Sequence, residues 1–369
     1  MKVGVLTSSR ADFGIYLPLL KALRLDNRFE LSIIAFGMHL QHEQGYTLTE
    51  IELEGFEKVD QVGEMPEKDE VLDIAIGYGK MTQDFARYWS KSNYDFVLAL
   101  GDRWEMSAAV QATIPFEIKI AHIHGGETTL GAIDNIYRHQ ITLASTLHFT
   151  AAEPFSSRVA EIKGSKKGVC TVGSISLEEF DLLDFPSWAE VKKKFEIPFD
   201  EFVLVTIHPE SVGHGNNLEL AQIAYQLIEQ YTSQFNFLIT QANSDALGSL
   251  FNKAFRELEK DKPEKVKLVK SMGKLNYFSA INACIFMLGN TSSGIIESAS
   301  FKKWVVNIGD RQKGRLRSGN VIDVPFDQVK IAQAMAEVST KEQFNGKNKY
   351  KKEGTIKTII KALLSHEEF

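Results

Sequence analysis

Short runs of β-branched and apolar residues recur along this chain, each followed by a loop and an amphipathic stretch, and the alternation occurs in two series. Lys2–Thr7 (K-V-G-V-L-T) has the pattern of a buried strand, and Ser8-Ser9-Arg10-Ala11-Asp12 leads from it into a helix ending near Leu25. Leu31–Phe36, Asp95–Leu100, Ile118–Ile123, Leu147–Thr150 and Gly168–Val172 repeat the strand pattern. Helices are expected over Glu70–Ser90, from Gly101-Asp102-Arg103 to about Thr113, and over Asp134–Ala144. A second series begins at Glu201, with strands at Phe202–Ile207, Phe235–Thr240, Val266–Lys270, Cys284–Leu288, Trp304–Ile308 and Val321–Val324. Its helices are expected over Asn217–Tyr231 and immediately after Gly289–Gly294. Apolar strands alternating with helices make parallel sheets covered on both faces, so the fold class is α/β. At 369 residues the chain exceeds what one core usually holds, and two domains are expected, 1–174 and 175–350. The remaining segment, 351–369, carries a helix at Thr355–Leu364 that is expected to pack back on the first domain.

Charge and cysteine usage narrow the partners. A net charge of −6 and an isoelectric point near 5.9 argue against a nucleic-acid surface, so an anionic ligand needs a local positive pocket. Cys170 and Cys284 have neither zinc-type spacing nor the look of a disulfide framework, which fits a reducing cytoplasm. No run is apolar enough to cross a bilayer and the start lacks a signal-peptide pattern, so a cytoplasmic protein without membrane contact is expected.

Chemistry concentrates between Lys119 and His139. A strand there ends in Gly125-Gly126 and a helix opens near Asp134, with His122, His124, Glu127, Asp134, Arg138 and His139 gathered around the break. Open α/β sheets bind ligands at the carboxyl ends of their strands, and imidazole with carboxylate can move protons near neutral pH. A solvated loop with Asp134 as a helix cap accounts for any one of these residues, though less well for the cluster. Asp102 and Arg103 follow another apolar strand, where the aspartate is either an N-cap or a carboxylate facing the central stretch. Arg10, after the first strand, is either a phosphate contact or a solvated arginine. His208-Pro209-Glu210 occupies the same place in the second series. Gly289–Gly294 (G-N-T-S-S-G) offers backbone N–H groups and hydroxyls to an anion, and Glu297, one turn later, suits ribose hydroxyls. Arg311, Lys313, Arg315 and Arg317 add positive charge there unless they merely form a solvated basic loop. No G-x-G-x-x-G occurs, which weighs against NAD or FAD.

These motifs, in this order, resemble the hydrolysing UDP-N-acetylglucosamine 2-epimerases of the sialic-acid and legionaminic-acid pathways. They are S-S-R-A-D at Ser8, G-D-R at Gly101, H-I-H-G-G-E with I-D-N-I-Y-R-H, H-P-E at His208, G-N-T-S-S-G-I-I-E at Gly289 and the G-D-R-Q-x-G-R run at Gly309. The resemblance implies two Rossmann-like domains of glycosyltransferase-B type with the active site in the interdomain cleft. It implies catalytic Asp102, His124, Glu127, Asp134 and His208. The substrate-binding set it implies is Arg10, Arg103, His122, Arg138, Asn243, Ser292, Ser293, Gly294, Glu297, Arg311 and Arg315. The family's proton-handling carboxylates map to Asp102 and Asp134. Where relatives read His-x-Glu-Gly-Gly, this chain has His124 in the glutamate's place and Glu127 three residues on.

The reaction implied is elimination of UDP from UDP-N-acetylglucosamine to a 2-acetamidoglycal, then addition of water with inversion at C2 to give N-acetylmannosamine. It needs positive charge near the departing diphosphate and proton carriers on both faces of C2. Neither cofactor nor metal is expected, and the protein is expected to be a homodimer or homotetramer. The alternatives are the same reaction on UDP-2,4-diacetamido-2,4,6-trideoxyglucose, a non-hydrolysing epimerase, a glycosyltransferase of the same fold, and an inactive nucleotide-sugar binder.

Overall fold

A computed structural model describes residues 1–41, 46–56, 58–68, 70–130, 133–178, 180, 184–210, 217–241 and 248–365. The chain divides into two compact units: Met1–Glu127 with Asp134–Phe180 and Tyr350–Phe369, and Thr128–Ile133 with Asp181–Lys349.

In the first unit the elements run β1 (Lys2–Thr7), α1 (Arg10–Leu25), β2 (Glu30–Gly37), α2 (Leu48–Leu53), β3 (Val59–Glu64), α3 (Val71–Trp89), β4 (Phe96–Leu100) and α4 (Trp104–Gln111). They continue with β5 (Ile120–Ile123), α5 (Asp134–Ala144), β6 (Leu147–Thr150), α6 (Glu153–Lys163) and β7 (Val169–Thr171). The sheet is parallel, in the order β3-β2-β1-β4-β5-β6-β7. Successive strand residues point to opposite faces, and the core records it. Val3, Val5, Ile33, Ala35, Leu98 and Ile123 pack with Phe13, Tyr16 and Leu20 of α1. Leu6, Ile34, Phe36, Val97 and Ala99 pack on the other face with Phe85 and Trp89 of α3 and with α4. Both faces are covered, which is why these strands read as continuous apolar runs.

The second unit contains α7 (Trp188–Phe195), β8 (Val203–Thr206), α8 (Asn217–Tyr231), β9 (Phe237–Thr240), α9 (Gly248–Asp261), β10 (Val266–Val269) and α10 (Lys274–Ala283). It closes with β11 (Met287–Gly289), α11 (Ser293–Ile296), β12 (Val305–Ile308), β13 (Val321–Val324) and α12 (Gln328–Ser339). Its parallel sheet has the order β10-β9-β8-β11-β12-β13. Counted from each unit's first strand, both sheets share the order 3-2-1-4-5-6 of the Rossmann fold. The last helix, α13 (Thr355–Leu364), belongs to the first unit and places Ile359, Ala362 and Leu363 in the α1 layer of its core.

Strand order locates the sites. Winding reverses between β1 and β4 in the first unit and between β8 and β11 in the second, and ligands bind beside such reversals, at the carboxyl strand ends. The segments there are Ser8–Asp12, which runs into α1, Gly101–Arg103, His208, and Gly289–Gly294, which runs into α11. One expectation changes in detail. The helix after Gly289–Gly294 is a single turn, Ser293–Ile296, and Glu297 caps its carboxyl end instead of lying within it. A turn that short has little dipole to offer an anion.

Candidate active site

In the first unit, Leu100 of β4 pairs with Ile123 of β5, so the Gly101–Arg103 loop and His124–Glu127 emerge side by side. Gly126 has φ +76, and a Cβ there would run into the carbonyl of Phe155, so only glycine lets the chain turn at this point. His122 is fully enclosed. The carbonyl of Gly101 can only accept, so Nε2 of His122 donates to it at 2.8 Å, leaving Nδ1 to accept from the Thr142 hydroxyl at 3.1 Å. Burial lowers its pKa to about 4. With both nitrogens occupied and no surface, His122 clamps β5 to the loop after β4. The substrate contact expected of it from the sequence does not fit this packing.

Around this clamp lies a charged network. Arg138, the single arginine of α5, pairs with Asp102 and donates to the carbonyl of Glu127 at 2.7 Å. Its side chain is 2% exposed and that of Asp102 is 22%, so the aspartate is the partner that reaches solvent. Arg138 therefore acts as a support for Asp102 and Glu127. His124 Nδ1 lies 2.7 Å from Glu127 Oε1. Asp134 opens α5, half-buried. His139 accepts from Asn135 at 3.3 Å, and burial lowers its pKa.

Across the winding reversal, the Ser8 hydroxyl lies 2.7 Å from Asp12 Oδ2 and 3.1 Å from Glu105 Oε1, and Glu105 also pairs with Arg103. Burial raises the pKa of Asp12, with the Ser8 hydrogen bonds opposing. Glu105 was not singled out in the sequence, where it reads as an ordinary first-turn helix carboxylate, yet it is wholly enclosed and anchors Arg103. Arg10 is ion-paired with Glu50 at 2.8 Å, so a phosphate there would compete with that carboxylate.

In the second unit an asparagine organises the loops. Asn290 accepts from the His208 N–H at 2.7 Å and donates to the His208 carbonyl at 2.9 Å, tying the end of β8 to the end of β11. Gly289, at φ +139, lies so close to Thr206 that a Cβ would strike its carbonyl oxygen. The Asn290 carbonyl in turn accepts from Arg311 at 3.2 Å and from Gln312 at 2.8 Å. Ser292 and Ser293 are half-buried beside Gly294, and Glu297 is buried with Lys274 in its field. Burial lowers the Lys274 pKa to about 8, with Glu297 opposing. Of the basic run, Arg317 is committed to Asp323 through two hydrogen bonds of 3.1 and 2.8 Å, and Lys313 pairs with Asp310 at 3.2 Å. Arg311 and Arg315 are both half-buried. Asn243 lies outside the described residues. Among the described residues, no group of three or more His, Cys, Asp or Glu could hold a metal ion, and no helix is long and apolar enough to cross a membrane.

The family description UDP-N-acetylglucosamine 2-epimerase matches residues 21–364. The chain belongs to this family. It is 31% identical over 342 residues to the GDP/UDP-N,N'-diacetylbacillosamine 2-epimerase (hydrolysing) of Campylobacter jejuni, covering 92% of this chain and 88% of that one. The UDP-N,N'-diacetylbacillosamine 2-epimerase (hydrolysing) of Legionella pneumophila is 31% identical over 351 residues, covering 95% and 92%. The Methanocaldococcus jannaschii UDP-GlcNAc 2-epimerase, solved in complex with UDP-GlcNAc and UDP, superposes with a TM-score of 0.80 at 17% identity over 99% of each chain. At that identity it shows the fold alone, the glycosyltransferase-B type expected from the sequence. In this 2-epimerase the S-S-R-A-D, G-D-R and H-I-H-G-G-E motifs lie on the first unit, and H-P-E and G-N-T-S-S-G on the second.

Proposed function

We propose that the protein is a hydrolysing UDP-N-acetylglucosamine 2-epimerase that converts UDP-N-acetylglucosamine and water into UDP and N-acetylmannosamine. The observation that carries this reading is the solvent-reaching Asp102, fixed by enclosed Arg138, beside a His124–Glu127 pair in a chain of this family. The C2 proton of an acetamido sugar is weakly acidic, so its removal has to accompany departure of UDP. A base takes the proton, the C2–H electrons form a C1–C2 double bond, and the C1–O bond breaks towards the diphosphate. Water then adds at C1 while an acid protonates C2 from the opposite face. Asp102 and Asp134 are assigned to this proton traffic. Arg311 and Arg315 are assigned to the diphosphate, Ser292, Ser293 and Glu297 to phosphate and ribose, and Arg10, Arg103 and His208 to supporting contacts. The protein is proposed to act in the cytoplasm as a homo-oligomer.

A second reading, hydrolysing epimerisation of UDP-2,4-diacetamido-2,4,6-trideoxyglucose, is favoured by the two relatives at 31% identity, both diacetylbacillosamine 2-epimerases. Incubation with each UDP-sugar and no acceptor decides among the readings. Free N-acetylmannosamine plus UDP supports the first reading, and a kcat/KM preference for the diacetamido sugar supports the second. An epimeric UDP-sugar as product would overturn both.

A further inference from the structure

We propose that Asp12 and Glu105 share one proton through the Ser8 hydroxyl, Asp12 neutral and Glu105 ionised, and that this pair holds Arg103 in place for the UDP-sugar. The proposal rests on the 2-epimerase reading and adds Ser8, Asp12 and Glu105 to it as positioning residues.

The three side chains come from the two strands that flank the first unit's winding reversal. β1 pairs with β4 through Val3, Gly4 and Val5, so Ser8 and Asp12 after β1 lie beside Glu105 in the first turn of α4. Ser8 and Glu105 are fully enclosed, and Asp12 is buried with them. Polar groups so enclosed have to satisfy their hydrogen bonds within the cluster.

The Ser8 hydroxyl stands 2.7 Å from Asp12 Oδ2 and 3.1 Å from Glu105 Oε1. It carries one hydrogen, and an ionised carboxylate can only accept. With both carboxyls ionised, one of them would face the lone pairs of Ser8, and two negative charges would be enclosed beside one guanidinium. A single added proton removes both faults, because one carboxyl then donates to Ser8 and Ser8 donates to the other. Arg103 decides which is which. Its Nε donates to Glu105 Oε1, the same oxygen that faces Ser8, so Glu105 keeps the charge and the proton lies on Asp12. Burial raises the pKa of Asp12, against the Ser8 hydrogen bonds and the field of Arg103. Glu105 Oε2 is enclosed without a hydrogen-bond partner among the described residues, so the charge of Glu105 depends on Arg103. The other titratable groups facing the cluster are Tyr16 of α1 and Tyr137 of α5, whose pKa values burial raises, and His39 beside Thr7, whose pKa burial lowers to about 4. All three are neutral at pH 7. Arg10, in the same segment as Ser8, is paired with Glu50.

The shared proton matters because of what binds. A UDP-sugar carries negative charge, and a second enclosed carboxylate at these strand ends would repel it. A neutral Asp12 leaves Arg103 and Glu105 as a balanced pair, with the guanidinium fixed by its inner nitrogen. The side chain of Arg103 remains 21% exposed while that of Glu105 has no surface, so the arginine is the member that meets a ligand. Fixing a long side chain in one geometry before the substrate arrives lowers the entropy lost on binding.

The test joins infrared spectroscopy to steady-state kinetics on wild type, Asp12→Asn, Glu105→Gln, Arg103→Ala and the Glu105→Gln/Arg103→Ala double variant. Wild type at pH 7 is expected to show the carbonyl stretch of a protonated side-chain carboxyl, and Asp12→Asn to lose it. No such band in wild type, or an unchanged band in Asp12→Asn, overturns the shared proton. Glu105→Gln is expected to raise KM roughly tenfold with a smaller change in kcat, because Arg103 loses the charge that holds it. Asp12→Asn, which keeps that position neutral, is expected to raise KM by about threefold or less. A rise in Asp12→Asn as large as in Glu105→Gln overturns the charge assignment. Adding Glu105→Gln to Arg103→Ala is expected to change KM no further, since the carboxylate acts through that arginine, and fully additive effects overturn the positioning role. Should Glu105→Gln fail to fold, Glu105→Asp, which keeps the charge at shorter reach, takes its place in the cycle. If the wild type releases no sugar from either UDP-sugar, the 2-epimerase reading fails and the positioning role with it, whereas the infrared band still decides the shared proton.

Discussion

At the first unit's winding reversal and the strand end beside it, the loops after β1, β4 and β5 hold carboxylates, guanidinium groups and imidazoles in contact with one another. Asp102 meets Arg138, Glu105 meets Arg103, and His124 meets Glu127. At the second unit's reversal the loops after β8 and β11 are joined by one asparagine side chain, with half-buried serines and arginines around it. The strand order is the same, yet the first set of strand ends carries paired charges and the second an asparagine clamp with hydroxyls and arginines around it. Topology therefore supplies the location, and the side chains at the strand ends supply the chemistry.

This division can be broken most sharply by neutralising the first unit's carboxylates. Asp102→Asn and Asp134→Asn are each expected to lower kcat by about 10²–10⁴-fold, the usual contribution of a general acid or base, while UDP affinity stays near wild type. Asp102→Asn is also expected to lower the melting temperature, because it strips the enclosed Arg138 of its charge partner. Turnover near the wild-type rate in both variants would remove these residues from the chemistry.

Acid should separate the units next. Burial lowers the pKa of His39 and His122 to about 4 and of His148 to about 2, and all three belong to the first unit. Their stabilisation is complete above the unfolded value of about 6.5 and is lost as the pH falls towards the folded values, because only the unfolded chain takes up the protons. By pH 5 the loss is on the order of 2 kcal/mol per histidine. Hydrogen exchange at pH 7 and pH 5 should show the first unit losing protection more than the second, and equal losses would contradict this.

Two substitutions in the second unit complete the comparison. Asn290→Ala leaves the N–H and carbonyl of His208 without their partner, which should cost about 1–3 kcal/mol of stability and raise KM. A thermal melt and a saturation curve check both effects. Glu297→Ala should have the mildest effect, a roughly tenfold weaker UDP affinity with kcat largely kept, since a group that binds ground and transition states alike changes KM. Calorimetry showing unchanged affinity would take Glu297 out of the nucleotide site.

The strands were legible in the sequence because both faces of each sheet are buried, which writes β1, β4, β8 and β11 as apolar runs. Several other elements were not. β3 (V-D-Q-V-G-E) is an edge strand with only Val62 buried, so it has no hydrophobic signature. α10 (K-L-N-Y-F-S-A-I-N-A) has no clear apolar stripe, and α7 is not among the helices expected from the sequence, although Ser187 and Glu190 form a capping box at its start. Motif positions placed the candidate site at the strand ends, but motifs do not reveal partners. Only the packing shows His122 as an enclosed clamp, Arg317 as bound to Asp323, and Ser174, fifty positions beyond His124, at its ring.

The return of α13 to the first unit has a consequence for synthesis. Thr355 Oγ1 donates to the Val172 carbonyl at 2.6 Å, and Ile359, Ala362 and Leu363 fill the core beside α1. A ribosome makes Phe180 and then the whole second unit before these residues exist, which at 5–20 residues per second takes roughly 10–35 s. Throughout that interval the nascent first unit carries an uncovered apolar seam along α1, so it matures last although it is translated first.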